Sequence, residues 1–178
     1  MARLRRFRKG CVALALVSLA GCARAPEPAT ARAPDSSMAP TLVGAWRSSV
    51  QFRGGALAPI KNLEFLYVFN AGGTMTESSN YDATPPVPPA YGEWRQSGAG
   101  RFEAKYTFFT TGPLTDVKSL AAGGGWLPAG SGVLTEKITL AADGRSYDAS
   151  MTLEMFDAAG KPVTGGGEAT VHATRAGY

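Results

Sequence analysis

Three observations in this 178-residue chain predict an all-β fold, a single antiparallel eight-stranded up-and-down β-barrel over residues 42–178. Short segments alternate apolar and polar residues, the period of a strand with one buried face. The 22 glycines, together with prolines at the breaks, separate these segments at the spacing of consecutive strands joined by tight turns. No segment of ten or more residues carries a helical apolar stripe, although Pro113–Ala122 has room for one or two turns. Eight strands suffice to close a sheet around side chains or one small ligand, and closure removes the edges that invite aggregation. A two-sheet sandwich is the competing architecture.

The chain opens with a basic head, Arg3, Arg5, Arg6, Arg8 and Lys9, followed by an apolar run from Cys11 to Ala20. Such a run is too short to span a bilayer stably and has the form of a secretory signal. It ends on Leu19-Ala20-Gly21-Cys22, which resembles the lipobox of bacterial lipoproteins. The resemblance implies cleavage before Cys22, a diacylglyceryl thioether on its sulfur, and a membrane partner through that lipid. It also implies a cell-envelope location, with Ala23 after the cysteine fitting the periplasmic side of an outer membrane.

Residues 22–41 form an Ala/Pro-rich segment in which Pro26, Pro28, Pro34 and Pro40 oppose a stable helix. It reads as a disordered tether whose 19 residues after Cys22 reach ~60 Å when fully stretched. No Pro-x-x-Pro run in a suitable context marks a partner motif.

The strands follow. Gly44–Arg53 places Trp46, Ser48, Val50 and Phe52 on one face, and Lys61–Asn70 does the same with Leu63, Phe65, Tyr67 and Phe69. The Asn70-Ala71-Gly72-Gly73 turn leads to a polar strand, Thr74–Asn80. Four prolines within Thr84–Pro89 exclude pairing there. Tyr91–Gln96 is the fourth strand. The fifth, Arg101–Thr110, alternates Phe102, Ala104, Tyr106 and Phe108 with polar residues. After a long loop, Thr111–Ser131, comes Gly132–Ala141, joined through Ala142-Asp143-Gly144 to Ser146–Phe156 as a hairpin. The eighth strand is Gly166–Arg175.

Charge and cysteine content exclude several function classes. The formal charge of +4 comes from 18 basic and 14 acidic residues, and residues 1–21 hold five of the basic ones and no acidic one. The remainder, 13 against 14, carries no electrostatic footprint for nucleic acid. Cys11 leaves with the signal and Cys22 takes the lipid, so no thiol is left for a disulfide, a metal or nucleophilic catalysis. One histidine, His172, sits on a polar strand face, and no metal site or cofactor is expected. Gly123-Gly124-Gly125 lacks a phosphate-loop context, Gly130-Ser131-Gly132 reads as a loop end, and no Gly-x-Ser-x-Gly occurs.

Gly44-Ala45-Trp46 opening the first strand, with Arg175 in the last, resembles the lipocalin and wider calycin pattern. The resemblance implies that Arg175 packs over the Trp46 indole at the closed end of the barrel, as a structural pair. A Thr-Asp-Tyr-like stretch and a helix after the last strand, both part of that pattern, have no counterpart. A looser likeness is to allene oxide cyclase-like barrels, compact eight-stranded barrels with a polar group in an apolar cavity.

Candidate ligand contacts are Tyr67, Tyr106 and Phe108 on inward aromatic faces, Trp126 on the second long loop, and Glu136. If Leu134, Ile138 and Leu140 point inward, alternation carries Glu136 in with them, and a buried carboxylate must be paired, hydrogen-bonded or protonated. Alternatively, Val133, Thr135, Lys137 and Thr139 face inward, or Glu136 sits at the rim. Trp126 beside three glycines suits either a lid or a plug. The sequence thus points to non-catalytic binding of a small apolar or amphipathic molecule. A filled barrel serving a structural or protein-partner role, and an enzyme using Glu136 as acid or base on a lipid-like substrate, are the alternatives.

Overall fold

The computed structural model describes residues 41–81, 88–113 and 125–177. Eight strands, β1 (Gly44–Phe52), β2 (Leu63–Phe69), β3 (Thr74–Ser79), β4 (Ala90–Gly98), β5 (Arg101–Pro113), β6 (Trp126–Leu140), β7 (Ser146–Asp157) and β8 (Pro162–Arg175), close into one barrel in chain order. Every neighbouring pair is antiparallel, and β1 meets β8 in a register running from Trp46 opposite Arg175 to Phe52 opposite Ala169. The expected all-β, up-and-down barrel is the observed one, and the sandwich is excluded. No helix occurs among the described residues.

The period-two patterns set the register. Each strand sends its apolar set into one continuous core, from Leu42 and Trp46 to Val171 and Ala173. A slip by one residue would turn such a set to water, so the pattern fixes the pairing. All eight strands are paired on both sides and the core is drawn from the same stretch, so the barrel closes within one compact unit, residues 37–178. The β6–β7 hairpin is held by the Gly144 amide donating to the Ala141 carbonyl at 2.9 Å, with Gly144 at φ +67°. Asp143 Oδ1 accepts from the Arg145 amide across the same turn.

The barrel has two different ends. At the end where β1 starts and β8 stops, an aromatic plug fills the interior: Trp46 and Tyr147 meet edge-on at 5.0 Å between centroids, and Phe69 contacts Tyr147 and Trp94. The Trp46 Nε1 donates to the Leu42 carbonyl at 2.8 Å, tying the incoming chain across this end.

Pairing at the opposite end extends further than the sequence pattern indicates. β5 continues to Pro113 and β6 begins at Trp126, so the expected Thr111–Ser131 loop is strand at both its ends. A register shift at Thr110/Thr111 absorbs the irregularity. Pro128 is tolerated because β6 pairs with β7 only from Gly130 onward, leaving one side of residues 126–129 without a ladder. β4 likewise spans Ala90–Gly98, and β8 starts at Pro162, ahead of the glycine run. Its glycines permit close approach, since a Cβ on Gly166 would lie 2.1 Å from the Leu153 carbonyl oxygen.

The signal and tether, Cys22 among them, lie outside the described residues. So do Gly123, Gly124, most of Pro113–Ala122, and all of the Thr84–Pro89 stretch except Pro88 and Pro89.

Candidate functional site

Glu136 is fully buried on β6, between Leu134 and Ile138 on the inward face. The readings that put Lys137 inward or Glu136 at the rim do not describe this barrel. Tyr67 on β2 donates its hydroxyl to Glu136 Oε1 at 2.6 Å, and Tyr106 on β5 donates to the same oxygen. The two phenol oxygens are 3.2 Å apart, and their rings cross at 80°. Three of the sequence-predicted residues, Tyr67, Tyr106 and Glu136, are therefore one hydrogen-bonded cluster bridging the interior.

A second carboxyl lies in the same interior. Glu77 on β3 is buried, pairs in register with Tyr67, and shares the inward face of its strand with Met75. Sequence reasoning took β3 as simply polar. The usable signal was Met75, the strand's one large apolar residue, because period two places Glu77 on the same side.

Neither carboxyl is fully satisfied. Glu136 Oε2, Glu77 Oε1 and the Tyr147 hydroxyl are buried without a hydrogen-bond partner. Burial pushes the Glu77 carboxyl up from 4.5 to about 8, with the charge of Glu136 adding to the effect. Burial also raises Glu136, and the two phenol donors pull against that rise. Tyr67, Tyr106 and Tyr147 are all held above the usual phenol range, first by burial and then by the nearby Glu136. A protonated carboxyl is the cheap state for such a group, because an isolated buried charge is costly.

Above this cluster, at the end opposite the aromatic plug, is a cavity of about 370 Å³. Its walls come from β2, β5, β6 and β7 (Leu63, Phe65, Phe108, Leu134, Leu153 and Met155), with Leu57 from the β1–β2 connection. Glu77 is the one carboxyl in the lining among the described residues. Phe108 lies directly across from Gly132, where a Cβ would come within 2.2 Å of the ring, so the missing side chain is what seats this wall.

Of the predicted contacts, Phe108 lines the cavity, whereas Tyr67, Tyr106 and Glu136 lie beneath it. Trp126 is on β6 rather than on a loop, is 42% exposed, and is not part of the lining. At the other end, the Arg175 guanidinium carbon is 4.4 Å from the Trp46 ring centroid. Arg175 also donates to the carbonyls of Gly144, Val43 and Thr41. His172 is exposed on the outer face of β8, with Nδ1 2.8 Å from Asp148 Oδ1. No group of three or more metal-ligating side chains forms among the described residues.

What this geometry can do is bounded by its donors and walls. It can hold an apolar body of modest size and meet one polar group with a carboxyl. Pockets of this volume and lining are the usual form of small-molecule sites. Compared with protein-family models, with curated proteins and with solved structures, the chain matches none of them.

Proposed function

We propose that the barrel holds a small hydrophobic or amphipathic molecule without transforming it, as a module anchored to the cell envelope through a lipid on Cys22. The observation that carries the reading is the apolar cavity of about 370 Å³ with a single buried carboxyl, Glu77, in its lining among the described residues. An apolar body would lie against Phe65, Phe108, Leu134 and Leu153, and the carboxyl would orient its polar end. Tyr67, Tyr106 and Glu136 form the floor support beneath the ligand. The likeness of Gly44-Ala45-Trp46 and Arg175 to the lipocalin pattern, and of Leu19-Ala20-Gly21-Cys22 to a lipobox, supports the same reading. The half of the interior around Trp46, Phe69 and Tyr147 is packed with aromatic rings, so binding concerns the other half alone.

Uptake of decanol by the purified 37–178 fragment, followed by native mass spectrometry, tests this reading. One decanol per chain is the expected stoichiometry. Leu153→Trp fills the cavity with a larger ring and is expected to abolish the adduct while leaving the circular dichroism spectrum unchanged. Equal uptake by both proteins would place decanol elsewhere and overturn the reading.

A further inference from the structure

Beside the cavity the described interior leaves an acceptor, Glu77 Oε1, without a donor, while the unpartnered Tyr147 hydroxyl lies at the plugged end. Ser48 donates to the Phe65 carbonyl at 3.3 Å, and Tyr67 and Tyr106 both donate to Glu136. In the cavity wall, Ser79 donates to the Tyr81 carbonyl at 3.2 Å. These hydroxyls are spent, and none reaches Glu77, whose Oε1 has no partner. No lysine, arginine or histidine is buried among the described residues. The most enclosed of these, Arg175, is half-buried at the far end and committed to three carbonyls. Among the described residues the interior thus has two carboxyls, no internal cation, and one carboxyl oxygen bordering the cavity with no hydrogen-bond partner.

We propose that the ligand is an amphiphile whose polar end is a protonated amine, seated against the Glu77 carboxylate with its alkyl or aryl body between Phe65, Phe108, Leu134 and Leu153. This narrows the binding reading above and rests on it. An ammonium group brings the positive charge that no described lining residue supplies, with N–H donors for the unpartnered Glu77 oxygen, and a hydrogen bond between charged partners is about twice as strong as a neutral one. Among the described residues, the titratable groups facing Glu77 are Tyr67, Tyr106, Tyr81 and Glu136. The first two are held in the protonated form, and any negative charge on Glu136 also attracts a cation. A carboxylate ligand would add a third acid to the interior. An alcohol would supply a donor but no charge.

Amine binding requires Glu77 to release its proton, so the affinity must rise with pH until that carboxyl is ionised, near 8. The amine itself stays charged over this range, since alkylammonium groups titrate near ~10.

The test compares decylamine, decanol and decanoic acid on the 37–178 fragment by isothermal titration calorimetry between about pH 6 and pH 9. Decylamine is expected to bind about tenfold to a hundredfold tighter than decanol at the upper end. Its affinity should increase up to about pH 8 while that of decanol stays flat, with decanoic acid the weakest of the three. Glu77→Gln should bring decylamine to the level of decanol and flatten its pH profile. The pH profile of the unsubstituted fragment gives the same answer if that variant does not fold. Decanol binding as tightly as decylamine, or a flat decylamine profile, overturns the amine assignment and leaves the apolar cavity reading standing. Failure of all three to bind overturns both.

Discussion

Tyr67 donates its phenolic hydrogen to Glu136 Oε1 across 2.6 Å, and this bond joins β2 to β6 through the middle of the barrel. Tyr106 takes the same acceptor from β5, so three strands are tied to one carboxyl oxygen. Removing the acceptor strands two buried hydroxyls, whereas removing one donor strands none. The expected order of destabilisation is Glu136→Leu at about 2–4 kcal/mol, then Tyr67→Phe at about 1–2 kcal/mol. Glu136→Gln, which keeps an acceptor for both phenols, should cost least. Urea denaturation of the three variants checks the order, and a Gln variant as unstable as the Leu variant would contradict it.

The two interior carboxyls are expected to make the barrel more stable in mild acid than at neutral pH. In the unfolded chain the Glu77 carboxyl titrates at its ordinary 4.5, and in the folded chain at about 8. Between those values the folded state holds a proton that the unfolded state has released. Stability therefore falls as pH rises, by on the order of 1 kcal/mol per pH unit for one such group, and levels off above about 8. The raised Glu136 acts in the same direction. Denaturant midpoints measured from about pH 5 to pH 8 should decline, and Glu77→Gln should flatten the decline. A midpoint that rises over this range would contradict the account.

Arg175 closes the plugged end by two means at once, lying over the Trp46 indole and donating to three carbonyls. A planar fork can do both, and an ammonium group cannot. Arg175→Ala is expected to cost about 2–3 kcal/mol, and Arg175→Lys to recover less than half of that. Thermal denaturation of both variants reads the difference.

Cys22 carries the proposed anchor. Cys22→Ala in the full chain is expected to abolish incorporation of labelled fatty acid and to stop conversion to the form cleaved before residue 22. Unchanged labelling would remove the lipid from the account, leaving the barrel reading untouched.

The legible parts of this chain are those governed by period two. Strands such as Arg101–Thr110 and Ser146–Phe156 alternate so regularly that the inward face, Tyr106 and Met151 included, follows from the residues alone. The same rule carries Glu136 inward, where the Tyr67 and Tyr106 donors offset the cost of burying its carboxyl. Those donors lie 69 and 30 residues away, and only barrel closure brings them together. Glu77 was hidden by its strand, where Met75 is a single apolar marker among polar neighbours. The extension of β5 and β6 was hidden by Pro113, Pro128 and Gly130, residues that usually end strands but here pair on one side or at a register shift.

Native mass spectrometry of the 37–178 fragment after exposure to an envelope lipid extract tests the central claim most directly. The account predicts one reproducible added mass per chain, released on denaturation and absent from Leu153→Trp. A clean protein mass with no uptake from the extract would contradict it.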